Sequence, residues 1–166
     1  MLRWFGVIAR LVVGAVLVWA GWLKLPHPES SITAVRAYQI LSPSVAETVG
    51  RLLPILEVVV GLCLIVGLVT RVAGVLAALL MLAFVIGISS VWARGISIDC
   101  GCFGGGGVDP DAASKYPWEI ARDVGLMALA LWLVWRPRTP FSVDALLFPA
   151  SAGSSLVKED RVQAEP

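Results

Sequence analysis

VAGVLAALLMLAFVIGISSVWA, residues 72–93, runs between Arg71 and Arg94 without a single charge. As a helix rising about 1.5 Å per residue, these residues reach about 33 Å, enough to cross the hydrocarbon core of a bilayer. A helix in a soluble domain needs one apolar stripe, whereas this segment is apolar all round. Two other stretches read the same way. Residues 4–23 form the first, with Arg10 near its start, and residues 52–70 the second, interrupted only by Glu57. A fourth is weaker. Its uncharged part, Val124 to Trp135, is too short to span alone. Extended back to Pro117 it is long enough, with Glu119, Arg122 and Asp123 at the membrane rim. Pro117 suits the first helical position and Pro137 stops a helix.

Composition agrees. The 166 residues are 58 % hydrophobic and only 15 % charged, with mean hydropathy +0.84. Soluble domains carry about 25 % charged residues. A net charge of +1 without a basic cluster excludes a nucleic-acid binder. The expected fold is an all-α integral membrane protein. It is a four-transmembrane-helix bundle, residues 1–136, with a short extra helix in the first outer loop. Residues 137–166, rich in proline and small residues, read as a mostly disordered cytoplasmic tail.

Orientation follows the positive-inside rule. Arg3, Arg10, Arg71, Arg136, Arg138, Lys158 and Arg161 fall on one side. Lys24, Arg36, Arg51, Arg94, Lys115 and Arg122 spread over two long loops on the other. The first set is denser at the helix ends. Both termini are therefore placed in the cytoplasm of a multi-pass plasma (inner) membrane protein. The seven tryptophans all fall near predicted helix ends, as an aromatic belt requires. Val18-Trp19-Ala20 before Gly21 also has the form of a signal-peptide cleavage site. The run is nevertheless long enough to span, and Lys24 follows closely.

Within the first long loop, Ser31 is read as capping a short helix that carries Ile32, Val35 and Tyr38 on one face. Ser44 and Glu47 have capping-box spacing, which starts the second spanning helix near Val45, and Pro54 should kink it.

The second long loop holds Asp99-Cys100-Gly101-Cys102-Phe103-Gly104, followed by Gly105, Gly106 and Gly107. Two residues of extended chain reach about 7 Å, and a disulfide needs a Cα separation of about 4.4–6.8 Å. A Cys100–Cys102 bridge is therefore tight. Such a bridge closes too short a loop to serve as a staple and suits thiol exchange better. An inert pair and a metal site are the alternatives. Metal is disfavoured because His27 is the only histidine. Cys63, about 16 Å deep in the second spanning helix, reads as an inert small apolar residue. No cysteine is placed to relay electrons to the cytoplasm.

Glu57 lies about 7–8 Å inside the apolar run. An ionisable group there should face the bundle interior and have a partner. Lys24 and Arg122 are the candidates at that depth. If the three act together, they would bind a polar cofactor head or handle protons released in thiol oxidation. Helix packing alone is an equal reading.

Gly21-Trp22-Leu23-Lys24-Leu25, Tyr38-Gln39-Ile40-Leu41 before Pro43, Leu53-Pro54-Ile55-Leu56-Glu57 with Gly61, and Arg71 resemble the DoxX-like membrane proteins. Asp99 to Gly104, with Trp118 and Arg122-Asp123, is similar to the MauE (methylamine utilisation) branch. The resemblance covers roughly residues 5 to 136, and the cysteine motif is its most specific part. Asp123 departs from it, since the family often has Asn there. The resemblance implies a four-helix membrane protein involved in maturing exported methylamine dehydrogenase, including its disulfides, with exported thioredoxin-like partners.

The leading expectation is thus a protein of thiol–disulfide redox or maturation, with Cys100 and Cys102 as reacting groups. Electrons would pass to or from a membrane quinone near Lys24, Glu57 and Arg122, and no metal is expected. A non-catalytic scaffold for an exported redox partner is the alternative. A small transporter built on Glu57 is the weakest, because no inverted repeat or broken-helix pair is visible.

Overall fold

The computed structural model describes residues 2–135. The tail expected over residues 137–166 lies outside the described residues. The chain forms α1 (Leu2–Lys24), α2 (Pro28–Ala37), α3 (Pro43–Val66), α4 (Thr70–Ala93), β1 (Ile98–Asp99), β2 (Gly107–Val108) and α5 (Ala112–Trp135). Trp4–Lys24, Pro43–Val66 and Thr70–Ala93 are long and apolar enough to cross a membrane. The protein is a multi-pass membrane protein. α5 matches α3 and α4 in length, at 24 residues. Lys115, Glu119, Arg122 and Asp123 keep its composition from marking it as a span.

Several boundaries differ from the sequence reading, each for a local reason. α3 starts at Pro43 with Ser42 as its N-cap, so Ser44 and Glu47 form no capping box. Proline is pre-organised for the first helical position, and Glu47 is engaged by Arg36 and Arg51 instead. For the same reason α2 starts at Pro28 after His27, and Ser31 is a buried residue inside it rather than its cap. α3 ends at Val66, before the expected Thr70. Gly67 adopts φ +75°, where its N–H and that of Leu68 take the last carbonyls of the helix. α5 starts at Ala112, so Pro117 lies inside the helix rather than at its first position. Proline has no N–H, so the Ala113 carbonyl loses the bond it would otherwise accept from residue 117.

The core runs along the middle of the bundle. Ala9, Val13 and Leu17 of α1 meet Val60 and Leu64 of α3, Ala73, Ala77 and Met81 of α4, and Leu126, Ala130 and Leu133 of α5. Small residues set the spacing. A Cβ on Gly61 would lie 2.7 Å from the Gly14 carbonyl oxygen, so α1 and α3 touch backbone to backbone there. In lipid, such close packing drives helix association, because burial of apolar surface gains nothing against acyl chains. The outward faces are apolar and exposed, including Trp19, Trp22, Leu52, Val59, Leu79 and Ile86. Phe5 and Trp132 stack edge to face at 5.5 Å, joining the start of α1 to the end of α5. The opposite end gathers Lys24, α2, the start of α3, the end of α4, the β-hairpin and the start of α5.

Candidate functional site

The cysteine motif is held by a two-strand hairpin. Ile98 pairs with Val108 and Asp99 with Gly107, antiparallel. Tyr116 on α5 anchors it. Its hydroxyl accepts the Ile98 N–H at 2.9 Å and lies 2.9 Å from the Ile96 and Ile98 carbonyls. Inside the loop, Asp99 Oδ1 accepts the Gly101 N–H at 2.8 Å. Gly101 has φ +67°, and a Cβ there would sit 2.5 Å from the Ala34 Cβ. Only glycine fits both the left-handed turn and the close approach to α2. This turn brings the Cys102 N–H to 3.3 Å from the Cys100 sulfur. Tyr38 donates to the Cys100 carbonyl at 2.8 Å. Arg94 holds Tyr38 in turn by donating to its carbonyl.

Cys100 and Cys102 are both free thiols. The sequence reading puts this loop on the outer side of the membrane. The loop lies at the Lys24 end of the bundle, and within it the cysteine side chains are turned toward the protein, 8 % and 4 % exposed. Hydrogen bonding to Cys100, followed by burial, pushes the Cys102 thiol well above its ordinary range. Burial raises the Tyr38 phenol above its ordinary range too, so it stays a donor. The Tyr38 shift follows mainly from the penalty on a charge removed from water, which adds to the hydrogen bond at Cys102.

Beneath the loop lie the charges. Lys24, the last residue of α1, meets both Glu57 oxygens, at 2.7 and 2.9 Å. The pair is 2 % and 0 % exposed. Lys24 also sits 5.5 Å from the Phe84 ring centre. Arg122 does not join this pair. It binds Asp123, its neighbour on α5, at 2.8 Å. With both Glu57 oxygens taken and Asp123 already within reach, nothing draws the guanidinium across. Arg122 instead stacks on Phe103 of the cysteine loop, 4.7 Å from the ring centre.

Two of the three predicted charges, Glu57 and Arg122, share a cavity, and Lys24 lines another. Glu57, Arg122, Asp123 and Cys102 line one cavity of about 10 Å³ among α1, α3, α4 and α5. That is about the least space that holds one water. Asp123 Oδ2 is buried without a hydrogen-bond partner among the described residues. A larger cavity of about 360 Å³ lies between α2, α3 and α4, with Lys24 and Cys100 on its wall. The motif thus straddles two spaces, with Cys100 on one and Cys102 on the other.

Glu119 was missed as a site residue. Its carboxylate interacts electrostatically with the Cys100 thiol, and its Oε2 is buried without a hydrogen-bond partner among the described residues. The signal was present as an acidic residue in the first turns of a short span, and helical geometry puts it four residues from Asp123 on the same face. Among the described residues no cluster of three or more His, Cys, Asp or Glu has metal-binding geometry.

A family model described as "Methylamine utilisation protein MauE" matches residues 2–136. The chain belongs to the MauE family. A curated relative, "Methylamine utilization protein MauE" of Paracoccus denitrificans, is 32 % identical over 146 residues. The match covers 87 % of this chain and 75 % of the relative. No solved structure matches. The match to the MauE model takes in all five helices and the cysteine loop, so the site belongs to the shared part of the MauE fold.

Proposed function

We propose that this MauE-family protein is a membrane thiol–disulfide protein that serves the maturation of exported proteins in methylamine utilisation. In this reading α5 is a fourth span, both termini are cytoplasmic, and the cysteine loop faces outward from the plasma membrane. The observation that carries it is the placement of Cys100 and Cys102 on one glycine turn. Cys100 lines the cavity between α2, α3 and α4, and Cys102 lines the cavity that holds Arg122 and Asp123.

The chemistry balances as two exchanges. A thiolate of an exported thioredoxin-like partner or client attacks the Cys100–Cys102 disulfide, giving a mixed disulfide and one free thiol. The partner's second thiolate releases it, leaving the partner oxidised and the pair reduced. The reduced pair then gives two electrons and two protons to a membrane quinone, which leaves as quinol. Glu119 is placed to take the Cys100 proton. Arg122 is the charge that favours a thiolate at Cys102, against the hydrogen bond and burial that disfavour it. The loop must lift for a partner to reach either sulfur, and residues 104–107, all glycine, allow this.

The burial of both cysteines also favours a second reading, a scaffold that presents a client without reacting. Three variants separate the readings. In a strain lacking the protein, Cys100→Ser/Cys102→Ser should fail to restore growth on methylamine. Each single Cys→Ser variant should accumulate a mixed disulfide with an exported protein. If the double variant restores growth fully, the scaffold reading stands and the redox one falls.

A further inference from the structure

We infer that the 360 Å³ cavity between α2, α3 and α4 is the quinone site, with the ring held against Lys24 and Cys100 and the tail left in lipid. This deepens the redox reading and rests on it. Its volume falls within the range of small-ligand pockets, about 300–1,000 Å³. The lining is apolar over most of its extent, from Val35, Leu53, Phe84 and Gly87 among others. Ile86, on the apolar outer face of α4, lines it and is exposed, as are Ile40 and Leu41 of the connection between α2 and α3, so an apolar rim borders the cavity on the side of a spanning helix.

The polar groups gather at one end, which is the pattern a lipid-soluble carbonyl compound requires. The Lys24 ammonium has three N–H groups, and Glu57 takes two of them. The third has no hydrogen-bond acceptor among the described residues, and Lys24 lines the cavity. A quinone carbonyl is a neutral acceptor that can take this N–H without disturbing the ion pair. Lys24 then polarises the carbonyl as charge develops on the ring oxygen. The same cavity wall carries Cys100 and Gly101, whereas Cys102 lines only the smaller cavity, with Glu57, Arg122 and Asp123.

The two cysteines therefore have different roles. The Cys100 thiolate adds to a ring carbon, its proton passing to Glu119. The Cys102 thiolate then attacks the Cys100 sulfur. The S–S bond forms and the C–S bond breaks, its electron pair staying on the ring. With two protons the ring becomes the quinol. Arg122, named from the sequence with Lys24 and Glu57, lies on the Cys102 side and does not touch the quinone.

The test uses the full chain in lipid nanodiscs. An azido derivative of decylubiquinone should photolabel peptides containing residues 34–41 and 83–87, and unlabelled decylubiquinone should compete the label away. Labelling elsewhere, or labelling that does not saturate as bulk lipid would give, overturns the site. Ala83→Trp fills the cavity from its lipid-facing side. It should slow oxidation of the reduced pair by decylubiquinone about tenfold or more, the scale on which apolar pockets discriminate by shape. A rate equal to that of the unsubstituted chain also overturns the site. Failure of the redox reading looks different. The unsubstituted pair would then resist oxidation by both decylubiquinone and oxidised glutathione, while competed labelling of the cavity persists.

Discussion

Two ion pairs in this protein have the same length and different meanings. Lys24–Glu57 and Arg51–Glu47 each close at 2.7 Å. The first joins α1 to α3 beneath the cysteine loop and is almost wholly buried. The second links neighbouring turns of α3 at its exposed start, with side chains 61 % and 42 % accessible. Distance alone does not rank them. Water and ions screen the exposed pair, whereas either member of the buried pair left alone would be an uncompensated charge in a medium without water. The buried pair is therefore a constraint on the bundle, and it also puts an ammonium group on the wall of the apolar cavity.

The comparison breaks most readily at Glu57. Glu57→Leu should cost about 3–5 kcal/mol, the usual loss when one partner of a buried pair is removed. Thermal unfolding in detergent micelles measures it. The double variant Lys24→Met/Glu57→Leu should recover most of that loss, since no lone charge remains. It should still lose oxidation by quinone, because the ammonium is gone. A double variant as unstable as the single one would mean that the pair does more than balance charge.

A smaller effect is expected at the loop. Gly101→Val forces a branched side chain into a left-handed turn against Ala34, at a cost of about 1–3 kcal/mol. The loop should lift from α2, and alkylation of Cys100 should become faster. Unchanged alkylation would show that the turn does not hold the cysteines inward.

The raised Cys102 thiol makes a prediction in pH. Alkylation requires thiolate, and hydrogen bonding and burial both favour the protonated form. The pH midpoint for Cys102 modification should therefore lie above the ordinary thiol value of about 8.5. A midpoint at or below that value contradicts the buried, hydrogen-bonded geometry. At the exposed pair, Arg51→Ala should change stability by less than about 1 kcal/mol. Smallest of all is Lys115→Ala at the surface. Its ammonium holds the Asp109 carboxyl below the usual carboxylate range, so that carboxyl should titrate at higher pH in the variant. Stability should not change measurably.

How far the sequence reading reached depends on the kind of signal. α1, α3 and α4 were legible because an uncharged run has one meaning in lipid. Glu57 and Lys24 were legible because helical rise converts sequence distance into depth. Arg122 was one of two partners offered for Glu57 and pairs with Asp123 instead, because depth says nothing about which way a side chain turns. The start of α5 was missed because Pro117 looked like a beginning, whereas the helix already has a turn before it. The hairpin is two residues per strand, too short to leave a period. The inward turn of the cysteines depends on Gly101 meeting Ala34, a contact between residues far apart in the chain. Glu119 needed that same turn before its carboxylate met a thiol.

The account rests most directly on whether the Cys100–Cys102 pair cycles, and quenched alkylation in intact membranes tests it. Samples are taken with the quinone pool held oxidised and then held reduced, and the cysteines are scored by mass. The account predicts that Cys100 and Cys102 change state together, becoming a disulfide when the pool is oxidised and two thiols when it is reduced. Cys63, packed at the bundle core, should stay a thiol throughout. If Cys100 and Cys102 remain in one state under both conditions, the protein does not exchange electrons with the membrane through this motif.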